Sequence, residues 1–130
     1  MSPPTVLVVD DDEGAVETLT DILTAKQYQV ETARSGEEAI SLAGSTAFDA
    51  ILMDIVMPGV NGVEALRSIK SVAPGTNVIM MTAYSRHELV EQARKAKAVA
   101  VLPKPLDMDR LLALLERMVR KNGGSKGTPR

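Results

Sequence analysis

The 130-residue chain has no cysteine and no tryptophan, and its aromatic residues are Phe48, Tyr28 and Tyr84, 2% of the total. Without thiols it can form neither a disulfide framework nor a thiolate metal site, and a reducing compartment, the cytoplasm, is the expected location. A single histidine, His87, argues against zinc or another soft metal. No basic start leads into a long apolar stretch, so no secretory leader is expected. No apolar run approaches the ~20 residues of a membrane-spanning helix. With so few rings the core must be aliphatic, and a hydrophobic content of 45% supplies it from Val, Ile, Leu, Met and Ala. The length fits one domain.

Acid is missing from the last fourteen residues. Residues 1–116 hold all 17 acids and 10 of the 15 bases, a net −7; residues 117–130 hold Arg117, Arg120, Lys121, Lys126 and Arg130. Bases suit a helix C-terminus, and Gly-Gly-Ser-Lys-Gly-Thr-Pro has the composition of a linker. An acidic body opposes binding to phosphates. The expectation is a domain over residues 1–121 and a flexible tail or linker remnant over 122–130, with no direct nucleic-acid or membrane contact.

Apolar runs alternate with amphipathic stretches along the chain. Thr5–Val9, Gln29–Thr32, Ala50–Met53, Asn77–Met81 and Val99–Leu102 read as strands, the first and third as strands covered on both faces. Between and after them, helical spacing runs over Glu13–Gln27, a stretch opened by Ser35, Val63–Val72, Ser85–Ala96 and a last helix capped by Asp107 and ended by Asn122-Gly123-Gly124. Ser35 with Glu38 three positions on forms a capping box, and Asn61-Gly62 begins the third helix. Five strands alternating with five helices require right-handed crossovers and a parallel sheet. The fold class is therefore α/β, a doubly wound three-layer sandwich with a five-stranded parallel sheet of order 2-1-3-4-5, flavodoxin-like, whose switch point lies between the first and third strands.

In such a sheet the C-terminal strand ends share one edge. That edge collects Asp10 and Asp11, then Asp54, Thr82 and Lys104. Three crowded carboxylates raise each other's pKa unless a cation relieves them, and an oxygen-only donor set suits Mg²⁺. Lys104 supplies a point charge for a carboxylate at rest and a phosphoryl oxygen after reaction. Phosphoryl transfer needs alignment and charge neutralisation, and a carboxylate can itself be the nucleophile. Asp54, central and followed by the turn residues Met57-Pro58-Gly59 and Asn61-Gly62, is the best-placed acceptor.

Val-Leu-Val-Val-Asp10-Asp11-Asp12, Leu-Met-Asp54-Ile-Val-Met-Pro58-Gly59-Val-Asn-Gly62, Met-Met-Thr82-Ala83 and Leu-Pro-Lys104-Pro105 together resemble a response regulator receiver domain of two-component signalling, in order and spacing, over about residues 4–121. The resemblance implies that Asp54 accepts a phosphoryl group from a histidine kinase or a histidine phosphotransfer protein. It implies Mg²⁺ on Asp11, Asp54 and the Val56 carbonyl, with Asp10 acting through water. Thr82, Ala83 and Lys104 would contact the phosphoryl group, and Lys104–Pro105 would be cis. It further implies a phosphoacceptor that loads and unloads itself rather than a turnover enzyme, an output domain in a longer parent chain or a stand-alone shuttle, and room for a phosphorylation-linked homodimer. The kinase is expected against the first helix at Gly14, Val16, Glu17 and Thr20, with Met57, Val60 and Val63 exposed near the site. One departure stands out: the family's aromatic three positions before the lysine is Val101 here. Signalling to the fourth helix, fifth strand and fifth helix is therefore expected to pass through packing and backbone shifts.

Three rival readings fit less well. A flavin domain of the same strand order needs a Ser/Thr/Gly phosphate loop where three aspartates stand. A small-molecule hydrolase needs a lid that 130 residues leave little room for. A degenerate receiver would not keep all five side chains.

Overall fold

The computed structural model describes residues 3–83 and 87–125, with side chains as far as residue 119 and without that of His87. Ten elements alternate: β1 Thr5–Val9, α1 Glu13–Ala25, β2 Gln29–Ala33, α2 Gly36–Ser45, β3 Ala50–Asp54, α3 Gly62–Val72, β4 Asn77–Thr82, α4 His87–Lys95, β5 Ala100–Pro103 and α5 Met108–Ser125. The sheet is parallel throughout, in the order β2-β1-β3-β4-β5. The doubly wound expectation holds, and the strand order is the one the alternation implied.

Strand parity sorts the core into two layers, because successive side chains leave opposite faces of a sheet. Leu7, Val9, Ile51, Met53, Val78 and Met80 pack under α2, α3 and α4. Val6, Val8, Leu52, Ile79, Met81 and Leu102 pack under α1 and α5. The central strand β3 is buried along its whole length.

Side-chain oxygens start the helices. Asp12 caps α1 by accepting the N–H groups of Gly14 and Ala15, Ser35 caps α2 and Asn61 caps α3. Glu38 does reach back, but its carboxylate takes the N–H of Arg34, one residue before the cap, at 2.8 Å. Asp107 accepts the N–H of Arg110 at the start of α5. At the other end α1 and α4 close with the same device. Gln27 and Lys97 have φ of 71° and 73°. Tyr28 N–H returns to the Leu23 carbonyl and Ala98 N–H to the Ala93 carbonyl, each at 3.0 Å, which is the Schellman pattern.

Several boundaries differ from the sequence reading. Helix α5 continues through Asn122-Gly123-Gly124 to Ser125, so that turn signal does not stop it; residues 126–130 lie outside the described residues. Helix α4 is described from His87, and the expected start at Ser85 also lies outside them. Strands β2, β3, β4 and β5 each reach one residue further, to Ala33, Asp54, Thr82 and Pro103. Met57 and Val63, expected on the surface, are 6% and 1% exposed and belong to the core beneath α2 and α3. The loop after β3 folds inward and takes Met57 with it, while Val63 lies on the buried face of α3.

Candidate functional site

Parallel pairing brings the strand ends level. Val9 lies opposite Met53, Asp54 opposite Met81 and Thr82 opposite Pro103, so the residues just beyond or at these positions meet on one edge. Asp10 is fixed there by its own N–H, which donates to the Ala33 carbonyl at 3.1 Å. Its Oδ1 accepts the Asp12 N–H at 3.0 Å. Lys104 is placed by the peptide before it. Pro103 has no N–H to give, and the Thr82 carbonyl takes that of Lys104 at 2.8 Å. The Lys104–Pro105 bond is cis.

The loop beyond Asp54 is shaped by two glycines. Gly59 has φ 77°, a left-handed backbone that L side chains avoid. Gly62 sits so close to the strand end that a Cβ there would lie 2.4 Å from the Asp54 carbonyl oxygen and 2.6 Å from Ile55 Cα. Its N–H donates to the Ile55 carbonyl at 2.7 Å. The N-terminus of α3 therefore rests directly on the backbone that carries Asp54.

Asp10, Asp11 and Asp54 each present a carboxylate oxygen to a common point, all within 4.8 Å of one another. Lys104 Nζ lies 2.9 Å from Asp10 Oδ2 and 3.4 Å from Asp54 Oδ2. Asp54 Oδ1 also accepts the Val56 N–H, at 3.4 Å. Asp10, Asp11, Asp12, Asp54, Val56, Ala83 and Lys104 line a cavity of about 320 Å³. Thr82 is buried at the end of β4, set back from that lining. All the residues named from the sequence thus share one strand edge, with Asp11, Val56 and Ala83 exposed at the mouth and Asp10 and Asp54 below.

Burial pushes the Asp54 carboxyl above its ordinary value, and the Asp10 charge adds to this. Lys104 and the Val56 N–H pull it down, but less strongly. For Lys104 burial works in the lowering direction, yet the bonds and charges of Asp10 and Asp54 together outweigh it, and its pKa is raised. The ammonium thus stays charged between two acids, nearer the deeper one. The donor set is all oxygen, with two buried acids and one exposed, and fits a hard divalent cation better than a soft one.

Sequence reasoning missed two features. Lys104 pairs first with Asp10, not Asp54, and only the height of the two acids in the fold decides that. Beside the acids runs a larger and mostly apolar groove of about 570 Å³ between α1 and the loop after β5, with Ala15, Thr18, Ile22, Pro105 and Met108 among its walls. Of the α1 residues expected to meet a partner, Gly14 lines this groove and Glu17 is exposed. Val16 is buried against the sheet and Thr20 half-buried, whereas Thr18 and Ile22 line the groove. The i, i+4 row Gly14, Thr18, Ile22 was the available signal.

The family described as "Response regulator receiver domain" matches residues 6–116. Response regulator receiver protein Anae109_2439 of Anaeromyxobacter sp. is 38% identical over 108 residues, 83% of this chain and 45% of its own length. Transcriptional regulatory protein ZraR of Escherichia coli is 39% identical over 112 residues, 86% of this chain and 25% of its own. The chain therefore spans less than half the length of these curated relatives. Among solved structures, response regulator protein TrrA of Thermotoga maritima, in complex with Mg²⁺ and BeF, superposes with a TM-score of 0.81 at 31% identity, over 88% of this chain and 98% of that one.

Proposed function

The chain belongs to the response regulator receiver domain family, and from that premise we propose that Asp54 accepts a phosphoryl group from a histidine kinase or a histidine phosphotransfer protein. The observation that carries this is the convergence of Asp10, Asp11 and Asp54 on one point with Lys104 bridging two of them.

An Asp54 oxygen attacks the phosphorus of the donor phosphohistidine. A P–O bond forms, the P–N bond breaks, and the departing imidazole takes up a proton. The ammonium of Lys104 is held within reach of both acids, so a small shift brings it to a phosphoryl oxygen. The Thr82 hydroxyl and the backbone at Ala83 take another oxygen. Val56 N–H steadies the acceptor carboxylate before attack. Mg²⁺, held by Asp11, Asp54 and the Val56 carbonyl with Asp10 acting through water, would neutralise charge on the acids and the transferring group; the Mg²⁺ and BeF in TrrA support that choice. Water later attacks the acyl phosphate and releases phosphate, so the domain is loaded and emptied rather than turning over an external substrate.

The signal leaves through β5. Because the Thr82 carbonyl holds the Lys104 N–H, a shift of Thr82 towards a phosphoryl oxygen moves the end of β5 and the flanking α4 and α5. The donor's helices fit the groove along α1. The domain runs through the end of α5 at Ser125, past the expected boundary at residue 121, and acts in the cytoplasm; no helix among the described residues is long and apolar enough to cross a membrane. Since the relatives are longer, an output domain in a parent chain, or pairing of two phosphorylated copies, would complete the response.

The test is incorporation of radiolabel from acetyl phosphate with Mg²⁺. About one phosphoryl group per chain is expected, with none in Asp54→Asn. Equal labelling of Asp54→Asn would sink the assignment.

A further inference from the structure

Among the described residues no strand pairs with the outer edge of β5, and that edge opens into a slot that the phosphoryl site does not use. Arg94, Ala98, Val99, Ala100, Val101 and Arg110 line it, and its volume is about 360 Å³. β4 is the hydrogen-bonded neighbour of β5, which ends the sheet on its other side. Val99 N–H points inward, to the Val78 carbonyl at 2.8 Å. Val99 precedes β5; at the strand's other end the Lys104 N–H donates inward to the Thr82 carbonyl at 2.8 Å, and these groups alternate along a strand, so the N–H and carbonyl of Val101 point to the open edge. α4 and α5 stand on opposite faces of the sheet, and each contributes one arginine as a wall. The floor is apolar: Val99 is 47% exposed, and Val101 is too short to fill the space.

We propose that this slot binds an extended acidic segment of a partner protein, which adds to β5 as a sixth strand. A strand suits it better than a helix, because a helix has no free backbone to offer the edge. The arginines fix the chemistry. Side chains of an added strand alternate between faces, and Arg94 and Arg110 lie on different faces. The partner therefore carries two acids an odd number of residues apart, with small or branched apolar residues between them. Arg94 has Glu91 at 3.7 Å, an exposed pair that a partner acid can displace. Near Arg110, Asp107 is engaged with the Arg110 N–H, and Asp109 begins α5 beside it. Lys95 and Lys97 add positive charge by the α4 wall.

Two other occupants are opposed by charge. Residues 117–130 contain bases and no acid, so the chain's own end is repelled. A second copy paired edge to edge would bring four arginines together. The proposal deepens the reading of α4, β5 and α5 as the output face by naming what that face takes.

The test uses the full unphosphorylated chain and labelled hexapeptides. Acetyl-Ser-Asp-Val-Val-Asp-Ser-amide is expected to bind, with amide shifts centred on Ala98–Leu102. At least tenfold weaker binding is expected for the lysine analogue, for a peptide with its acids two apart, and for one N-methylated on the edge-facing groups. Arg94→Glu with Arg110→Glu should reverse the preference towards the lysine peptide. No binding of the acidic peptide at millimolar concentration, unchanged binding after N-methylation, or indifference to the double reversal would each overturn the proposal. Radiolabelling of Asp54 in the same samples keeps the two readings apart, since intact labelling without peptide binding removes this inference alone.

Discussion

At Asp54 burial and the nearby Asp10 charge oppose ionisation, while the Lys104 ammonium and the Val56 N–H favour it, and the opposition wins. The folded state thus holds a proton on this carboxyl more tightly than the unfolded chain does. Ionisation therefore costs stability, a cost absent below the unfolded value of 3.8 and fully present once pH has risen through the raised folded pKa. Replacing Asp54 by Asn removes the cost. Without divalent metal, Asp54→Asn is expected to melt higher than the parent at pH 7, with the advantage shrinking as pH falls towards 4; calorimetry at both values checks it, and no gain at pH 7 would contradict the assigned balance. Lys104 has the opposite sign. Its raised pKa contributes stability that is lost only as pH climbs above 10.5 through the folded value. Sequence named both side chains but not the balance between them, because burial depth is set by how far each strand end lies below the cavity mouth.

Helix ends carry the second level of control. The N-terminus of α3 touches the Asp54 backbone through Gly62, and any Cβ there collides with backbone rather than a yielding side chain. Gly62→Ala is expected to cost about 1–3 kcal/mol by overpacking and to slow phosphorylation by displacing the acceptor; denaturant unfolding together with acetyl phosphate labelling measures both. At Gln27 the effect runs the other way. A left-handed backbone costs an L residue about 1–2 kcal/mol, and glycine returns part of that through its greater freedom when unfolded. Gln27→Gly is expected to stabilise by about 0.5–1 kcal/mol, read as a higher urea midpoint at unchanged slope. The caps Ser35, Asn61 and Asp107 were legible because a short polar residue before an apolar periodic run has little other purpose. The true end of α5 was not, since Gly123 and Gly124 are permissive of a turn without requiring one. Nor was the rotation of α1. Periodicity shows that a helix has an apolar face, but packing against β1 and α5 decides where that face ends.

On the scale of the molecule, Asp10, Asp11 and Asp54 converge from two strand ends that lie more than forty residues apart in sequence. A cation bound there stabilises the folded state alone and couples to global unfolding by mass action. Mg²⁺ at a hundredfold over its dissociation constant is expected to add about 2.7 kcal/mol. Most of that gain should vanish in Asp11→Ala, whose exposed site leaves the core untouched. Thermal melts with Mg²⁺ and with EDTA measure the difference, and an equal gain in the variant would exclude Asp11 as a ligand. The outer edge of β5 belongs to the same scale, because an edge exists only once the other four strands are paired.

The residue pattern alone determined the alternation of strands and helices, the parallel sheet and its order, and the acids, threonine and lysine that share its C-terminal edge. Strand length and crossover handedness leave few other solutions, and a strand's last residue must emerge at that edge. Only the tertiary structure decided that Lys104 sits closer to Asp10 than to Asp54, that Met57 and Val63 turn inward, that Asp49 ties the start of β3 to Thr5 through paired bonds of 2.8 and 2.9 Å, and that a slot opens beside β5. Each of these depends on distances between segments remote in sequence, which are fixed by how the two core layers pack and leave no periodic mark along the chain.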